Sequence, residues 1–365
     1  MLLIYALGLR RRRDEKTLDV WFPQIRVSSE GTSIWSEFVS EFKSDALVFS
    51  ESVSENALKG FLEENPDSSL DRTLAIFFLM KKEVSEEYAK SDLIFFRYRF
   101  SEKIELNSSV ESVEEAYFRL QMISQRVVLP NQVSLKGLFP ILPNLAWTNR
   151  GPMFPQDVPL ERLKTWGSVS PLQISHLDKF PYLLDYHLPS GVRIADTSKV
   201  RLGAYLGDGC TVMPAGYVNF NAGAAGPSMI EGRISAGVFV EHHSDIGGGA
   251  SIMGTLSGGN TITISIGPHC LLGANSGTGI SLGKGCTLAA GLYIYAGMKI
   301  SLLGRENEPV DLSGYLVAKG KNIVKAVEVS GRDYMLFIQD SQTGEVMCKP
   351  NLKQIQLNEE LHKND

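Results

Sequence analysis

The chain has 365 residues, 36 basic and 41 acidic side chains, a net charge of −5, 43% hydrophobic and 21% charged residues. These globular, mildly acidic proportions exclude wholesale disorder and argue against nucleic acid as the main partner. No apolar run approaches the ~20 residues of a membrane span, and four cysteines without a CxxC pair are too sparse for a disulfide framework. At the start, Met1 to Leu9 are apolar but are followed, not preceded, by Arg10 to Arg13. That is the wrong order for a secretory signal, so a reduced, cytoplasmic protein is expected. Residues 1–145 read as an N-terminal α/β domain, with buried strands at 46–49, 74–79 and 93–96 and short helices at 56–64 and 85–90. Ser112-Val-Glu-Glu115 is a capping box, and Val113, Tyr117, Leu120 and Ile123 then recur at helical spacing. Residues 146–190 read as an irregular connector, because nine of the 16 prolines lie between 130 and 190.

From residue 191 the pattern changes. Of 34 glycines, 22 lie between residues 201 and 300, a window with only eight charged side chains. Aliphatic residues recur there at a fixed step of six: Ile194, Val200, Leu206, Val212, Val218; Ile234, Val240, Ile246, Ile252; Ile266, Leu272; and Leu282, Leu288, Ile294, Ile300. A 3.6-residue helix cannot hold that period on one face, whereas a solenoid with three short strands per coil can. Each buried aliphatic contributes roughly 1.5–3 kcal/mol, so the columns amount to a core. A hexapeptide-repeat β-helix is therefore expected over 191–303. Its phase slips between Val218 and Ile234, Ile252 and Ile266, and Leu272 and Leu282, and these slips read as loops inserted on a binding face. Beyond it, residues 304–365 read as a small C-terminal β domain and a polar tail, with turns at Gly331 and Gly344.

The slip around 219–233 holds Glu231 and Arg233, flanking Gly232. A carboxylate there can serve as base or nucleophile, and a guanidinium can bind a carboxylate or phosphate; an ion pair that pins the loop is the alternative. His242, His243 and His269 could offer metal ligands or a base, but adjacent strand residues point to opposite faces, which does not suit a shared metal. The Gly/Ala/Ser/Asn segments at 253–259 and 273–277 suit an extended ligand lying against backbone, and no GxxxxGK[ST] motif supports a nucleotide phosphate loop.

Four blocks carry a family resemblance: Val218-Asn-Phe-Asn-Ala-Gly223, Met229-Ile-Glu-Gly-Arg-Ile-Ser-Ala-Gly237, Gly247-Gly-Gly-Ala-Ser-Ile-Met-Gly-Thr-Leu-Ser-Gly-Gly259 and Cys270-Leu-Leu-Gly-Ala-Asn-Ser-Gly277. They closely resemble the tetrahydrodipicolinate N-succinyltransferases, in their longer-chain branch. The likeness extends to Ala146-Trp-Thr-Asn149, Val324-Lys-Ala326 and Leu357-Asn-Glu-Glu-Leu-His362. It implies homotrimers of left-handed parallel β-helices, with active sites between subunits. The implied reaction is succinyl transfer from succinyl-CoA to the nitrogen of L-2,3,4,5-tetrahydrodipicolinate in the diaminopimelate route to lysine. Succinyl-CoA is then a co-substrate, with no permanently bound cofactor. By motif, Glu231 is the family's catalytic acidic residue, discussed as an acyl-anhydride nucleophile; removal of the amine proton is the other role open to it. Acyl-CoA contacts fall on Arg233, Gly248, Ser251, Ala274, Ala289, Ala290, Gly297 and Lys325, and on Ile338, Gln339, Asp340 and Ser341. Some relatives hold an axial magnesium through an Asp and a Glu; the matching positions here are Ser198 and Ala215, so no metal is expected. Three other readings remain: a different acyl-CoA-dependent N- or O-acyltransferase, a metal hydratase, or a non-catalytic scaffold on the same solenoid.

Overall fold

The computed structural model describes residues 2–29, 48–54, 56, 58–59, 73, 76, 88–100, 106–257, 261–317 and 322–352. These form two compact units, one comprising 1–128, 132–181 and 185–187, the other 129–131, 182–184 and 188–365.

In the first unit the apolar start is a strand, Leu2–Arg13, whose buried residues Leu3 to Leu7 make it the centre of a sheet. It pairs antiparallel with Lys16–Trp21, Arg26–Ser29 and Lys90–Phe100, and Lys90–Phe100 pairs with Val48–Ser52. Lys90–Phe100 contains the expected strand at 93–96. The expected helix at 85–90 is overturned where it is described: Tyr88 and Ala89 form a bend and Lys90 opens the strand. Thr73 and Ile76 are helical, so the apolar run at 74–79 is no strand at its described position; its other residues, like 46–47, 60–64 and 85–87, lie outside the described residues. The capping box is half realised. Ser112 Oγ accepts the Glu115 N–H at 3.1 Å and opens the helix Val113–Ser124. The Glu115 carboxylate instead accepts the Glu111 N–H and the Tyr98 hydroxyl. The proline-rich stretch is not irregular, because Leu145–Thr148, Gly151–Met153 and Ile174–Asp178 form an antiparallel sheet and Val158–Thr165 a helix. Pro152 sits on a strand lying at the edge of this sheet, and Pro159 in the first turn of the helix, both places where the missing N–H costs nothing.

The second unit is a parallel β-helix with three faces. Ala204–Leu206, Ala222–Ala224, Phe239–Val240 and Ser265–Ile266 stack on the first face. Arg193–Ile194, Cys210–Val212, Ser228–Ile230, Asp245–Ile246, Leu271–Leu272 and Thr287–Leu288 stack on the second. Tyr217–Val218, Arg233–Ile234, Ser251–Ile252, Gly277–Gly279 and Tyr293–Tyr295 stack on the third. Apart from Ile194, which is half-buried at the first coil, the six-residue aliphatics are the buried residues of these columns. Inside the corner between the first and second faces, Ser228, Ser244 and Cys270 donate to the carbonyls of Ser244, Gly267 and Gly283, so small hydroxyls and thiols satisfy the buried backbone.

Only one of the three phase slips is an insertion. Val240 pairs with Ile266, 26 residues on, so the added residues loop out after Ile252. Val218 pairs with Ile234, and Ile266 with Leu282, each 16 residues on. Those two coils are short, and the expected loops are overturned. Residues 219–233 contain strands Ala222–Ala224 and Ser228–Ile230, and residues 273–279 contain strand Gly277–Gly279. The missing residues come from the corners after Ile230 and after Thr278. Past Leu302 the hairpin Met335–Gln339 and Val346–Pro350 lays its first strand parallel to Thr287–Leu288, occupying the place of a further coil.

Candidate active site

The shortened corner carries Glu231, Gly232 and Arg233. Its backbone is held to the next coil: Glu231 N–H donates to Ile246 O at 2.8 Å, and Arg233 N–H to Ala250 O at 2.7 Å. Gly232 is required by space, since a Cβ would collide with Ala250 O and lie 2.7 Å from Ile246 Cγ2. Tight packing of this corner splits the two charged neighbours. The Glu231 carboxylate lies against the next coil's corner, with Oε2 3.4 Å from where a Cβ on Gly248 would stand. Arg233 emerges exposed on the third face. They are not the ion pair that the sequence left open.

Arg233 lines a groove of about 530 Å³ together with Lys199, Ala215, Tyr217 and Ser251. Tyr217, Arg233 and Ser251 are in register on successive coils. Lys199 belongs to the same column, because Val200 bridges Val218. Sequence reasoning missed both Lys199 and Tyr217, whose only signal was the coil step: Tyr217 lies sixteen residues before Arg233, and Lys199 eighteen before Tyr217. Gly248, Ala274, Ala289 and Ala290 occupy the corner between the second and third faces in successive coils. Asn275 N–H bonds to Gly248 O at 2.8 Å and Gly291 N–H to Ala274 O at 2.9 Å. Ala289 N–H then reaches Phe337 O at 3.0 Å, which places Ile338 and Gln339 at the next level. At ~4.8 Å per coil, the line from Glu231 to Ile338 spans about 19 Å.

The remaining predicted residues lie apart from that corner. The Asp340 carboxylate is committed to the hairpin turn, accepting the N–H groups of Gln342 and Thr343 at 2.8 Å, and Ser341 is exposed at its tip. Gly297 is open, and the neighbouring carbonyls of Ala296 and Met298 accept the N–H groups of Val327 and Ala326. Lys325 is exposed and pairs in register with Lys299, a second cation that the motif reading overlooked.

The histidines form no centre. His242 Nδ1 lies 2.7 Å from Gly226 O, while His243 and His269 stack with ring centroids 5.2 Å apart. Among the described residues no group of three or more His, Cys, Asp or Glu side chains could hold a metal ion. The Ser198 hydroxyl donates to Asp196 and Ala215 offers a methyl, so these two positions present no carboxylate to an axial cation. No helix among the described residues is long and apolar enough to cross a membrane.

Comparison with known proteins bears on this geometry. Residues 142–182 match the model for the tetrahydrodipicolinate N-succinyltransferase middle region, and 263–296 match the hexapeptide repeat of succinyl-transferases. The 2,3,4,5-tetrahydropyridine-2,6-dicarboxylate N-succinyltransferase of Vibrio cholerae is 40% identical over 99% of both chains. The chain belongs to this family. It is thereby an acyltransferase. The Pseudomonas aeruginosa succinyltransferase is 49% identical over 256 residues, 70% of this chain and 71% of its own. A solved Campylobacter jejuni structure, described as a 2,3,4,5-tetrahydropyridine-2-carboxylate N-succinyltransferase, superposes with a TM-score of 0.80. It is 30% identical and the match covers 97% of this chain and 93% of that one.

Proposed function

We propose that the chain transfers the succinyl group of succinyl-CoA to the nitrogen of L-2,3,4,5-tetrahydrodipicolinate, with one water taken up as the ring opens. The products are N-succinyl-2-amino-6-oxopimelate and free CoA, in the diaminopimelate route to lysine. A C–N bond forms at the thioester carbon, the C–S bond breaks, and the amine proton must leave. In this reading Glu231 accepts it. Arg233 receives the free carboxylate of the succinyl group, the feature that distinguishes it from acetyl. The CoA arm runs along the corner past Gly248, Ala274, Ala289 and Ala290. Its phosphates meet Lys325 and Lys299, two point charges suited to that task. In this reading three copies assemble as left-handed β-helices in the cytoplasm, each groove closed by a neighbour, without a bound metal or permanent cofactor. Exclusion of water from such a closed groove raises the strength of both charged contacts.

The observation that carries this reading is the arrangement around the short corner. Arg233 and Ser251 lie in register in one groove, and Glu231 stands at the head of a line of Gly and Ala corners long enough for an extended thioester arm. A thiol-release assay tests it, with succinyl-CoA or acetyl-CoA and with or without tetrahydrodipicolinate. CoA release that depends on the acceptor and prefers succinyl-CoA is expected. Release without the acceptor, or equal use of acetyl-CoA, would contradict it.

A further inference from the structure

The groove beside the short corner extends past Arg233 in the direction opposite to the line of donor residues. Gly248, Ser251, Ala274, Ala289, Ala290, Gly297 and Lys325 all lie from the Arg233 coil toward the C-terminal end of the solenoid. On the other side the groove continues to Tyr217 and then Lys199. Two coils separate Lys199 from Arg233, about 10 Å at the spacing of stacked strands. Among the described residues the lining holds two cations, Lys199 and Arg233, and no acidic side chain.

Lys199 closes a single 3-10 turn, Thr197–Lys199. The nearby acid, Asp196, is occupied as the cap of that turn, accepting the Ser198 N–H at 2.9 Å and the Ser198 hydroxyl at 2.7 Å. Among the described residues Lys199 Nζ has no hydrogen-bond or ion-pair partner within 4 Å. It is half-buried and lines the groove.

We propose that Lys199 binds a carboxylate of the acceptor, and that the end of the groove between Lys199 and Tyr217 is the acceptor subsite. This rests on the succinyltransferase reading. With the donor lying toward the C-terminal coils and its reacting carbon at the Glu231–Arg233 level, an acceptor nitrogen approaches from the opposite side. A dicarboxylate seated there meets a cation with no hydrogen-bonded acid among the described residues, since Asp196, the acid whose charge it feels, is spent on capping its own turn. Lys199 is thus a positioning and specificity residue, separate from the group that handles the proton.

The test is steady-state kinetics of K199M and K199R beside the wild-type protein, varying tetrahydrodipicolinate and succinyl-CoA separately. Loss of a hydrogen bond to a charged group raises a dissociation constant by about 10- to 100-fold. K199M is expected to raise the KM for tetrahydrodipicolinate by at least ~10-fold, with the KM for succinyl-CoA within about twofold of wild type. K199R, which keeps the charge, is expected to recover most of the loss. An unchanged acceptor KM in K199M, or an equal rise for both substrates, would overturn the assignment. K199Q gives the same test if K199M fails to fold, as judged by circular dichroism. Absence of acceptor-dependent CoA release by the wild-type protein would instead overturn the succinyltransferase reading itself.

Discussion

The two units bury their cores in opposite ways. The solenoid stacks one aliphatic side chain per strand, and the corner between its first and second faces carries small polar groups such as Ser228, Ser244 and Cys270. The N-terminal unit buries large aromatics and charges together. Phe118 lies 4.5 Å from Phe96 and 5.0 Å from Phe22, centroid to centroid, and Arg119 is fully buried against Glu115, Tyr98 and the carbonyl of Ser108. Arg11 pairs with the buried Asp19, which also accepts the Tyr186 hydroxyl. A repeated core spreads its stability over many equivalent contacts, which leaves corners free to vary and to carry chemistry. A core built on buried ion pairs concentrates it in a few residues.

That contrast predicts unequal responses to mutation. The largest effect is expected for E115A, which leaves the Arg119 guanidinium buried without its carboxylate. A loss of about 3–5 kcal/mol should appear as a marked fall in the thermal midpoint. An unchanged midpoint would show that this core does not depend on its ion pair. Next comes G232A in the solenoid. The added methyl meets backbone at the short corner, so about 1–3 kcal/mol is expected by the same melt, together with loss of activity as Glu231 and Arg233 shift. Tolerance of alanine at 232 would mean that the corner is not tightly set. The smallest effect concerns His269. Burial against its neighbours, then His243 and Lys284, lower its pKa below the ordinary histidine value. The unfolded chain therefore binds this proton more readily, so His269 contributes stability above about pH 6.5 that is lost as pH falls through its folded value. H269Q should flatten the stability profile below pH 6.5; an unaltered profile would remove His269 from the account.

The same contrast governs what could be read from sequence. The solenoid columns were legible because Val200, Leu206, Val212 and their successors repeat at a fixed step. The two short coils were misread as insertions because their inward residues include Ala224, a small side chain, and Thr278, a polar one. Thr278 is buried with its hydroxyl donating to Ile280 O at 2.7 Å, so a threonine fills a place where the pattern called for an aliphatic. With those steps unseen, a deletion of two residues and an insertion give the same break in phase. Glu231 and Arg233 were legible as rare charges in a Gly-rich window, and as part of a family motif. Lys199 was not, because its nearness to Arg233 arises from coil register alone. In the N-terminal unit the helical spacing from Val113 to Ile123 was legible, but no repeated step orders the strands. The sheet made by Leu145–Thr148, Gly151–Met153 and Ile174–Asp178 was hidden by prolines that sit where a strand edge or helix start accepts them.

The most direct test of the central claim, that the short corner is where the transfer occurs, is the turnover number of E231Q with succinyl-CoA and tetrahydrodipicolinate. The substitution keeps the size of the side chain and removes its ability to take a proton. A fall in kcat of at least ~10²-fold, with an unchanged thermal midpoint, is the predicted result. Turnover near that of the wild-type protein would contradict it and move the chemistry away from Glu231.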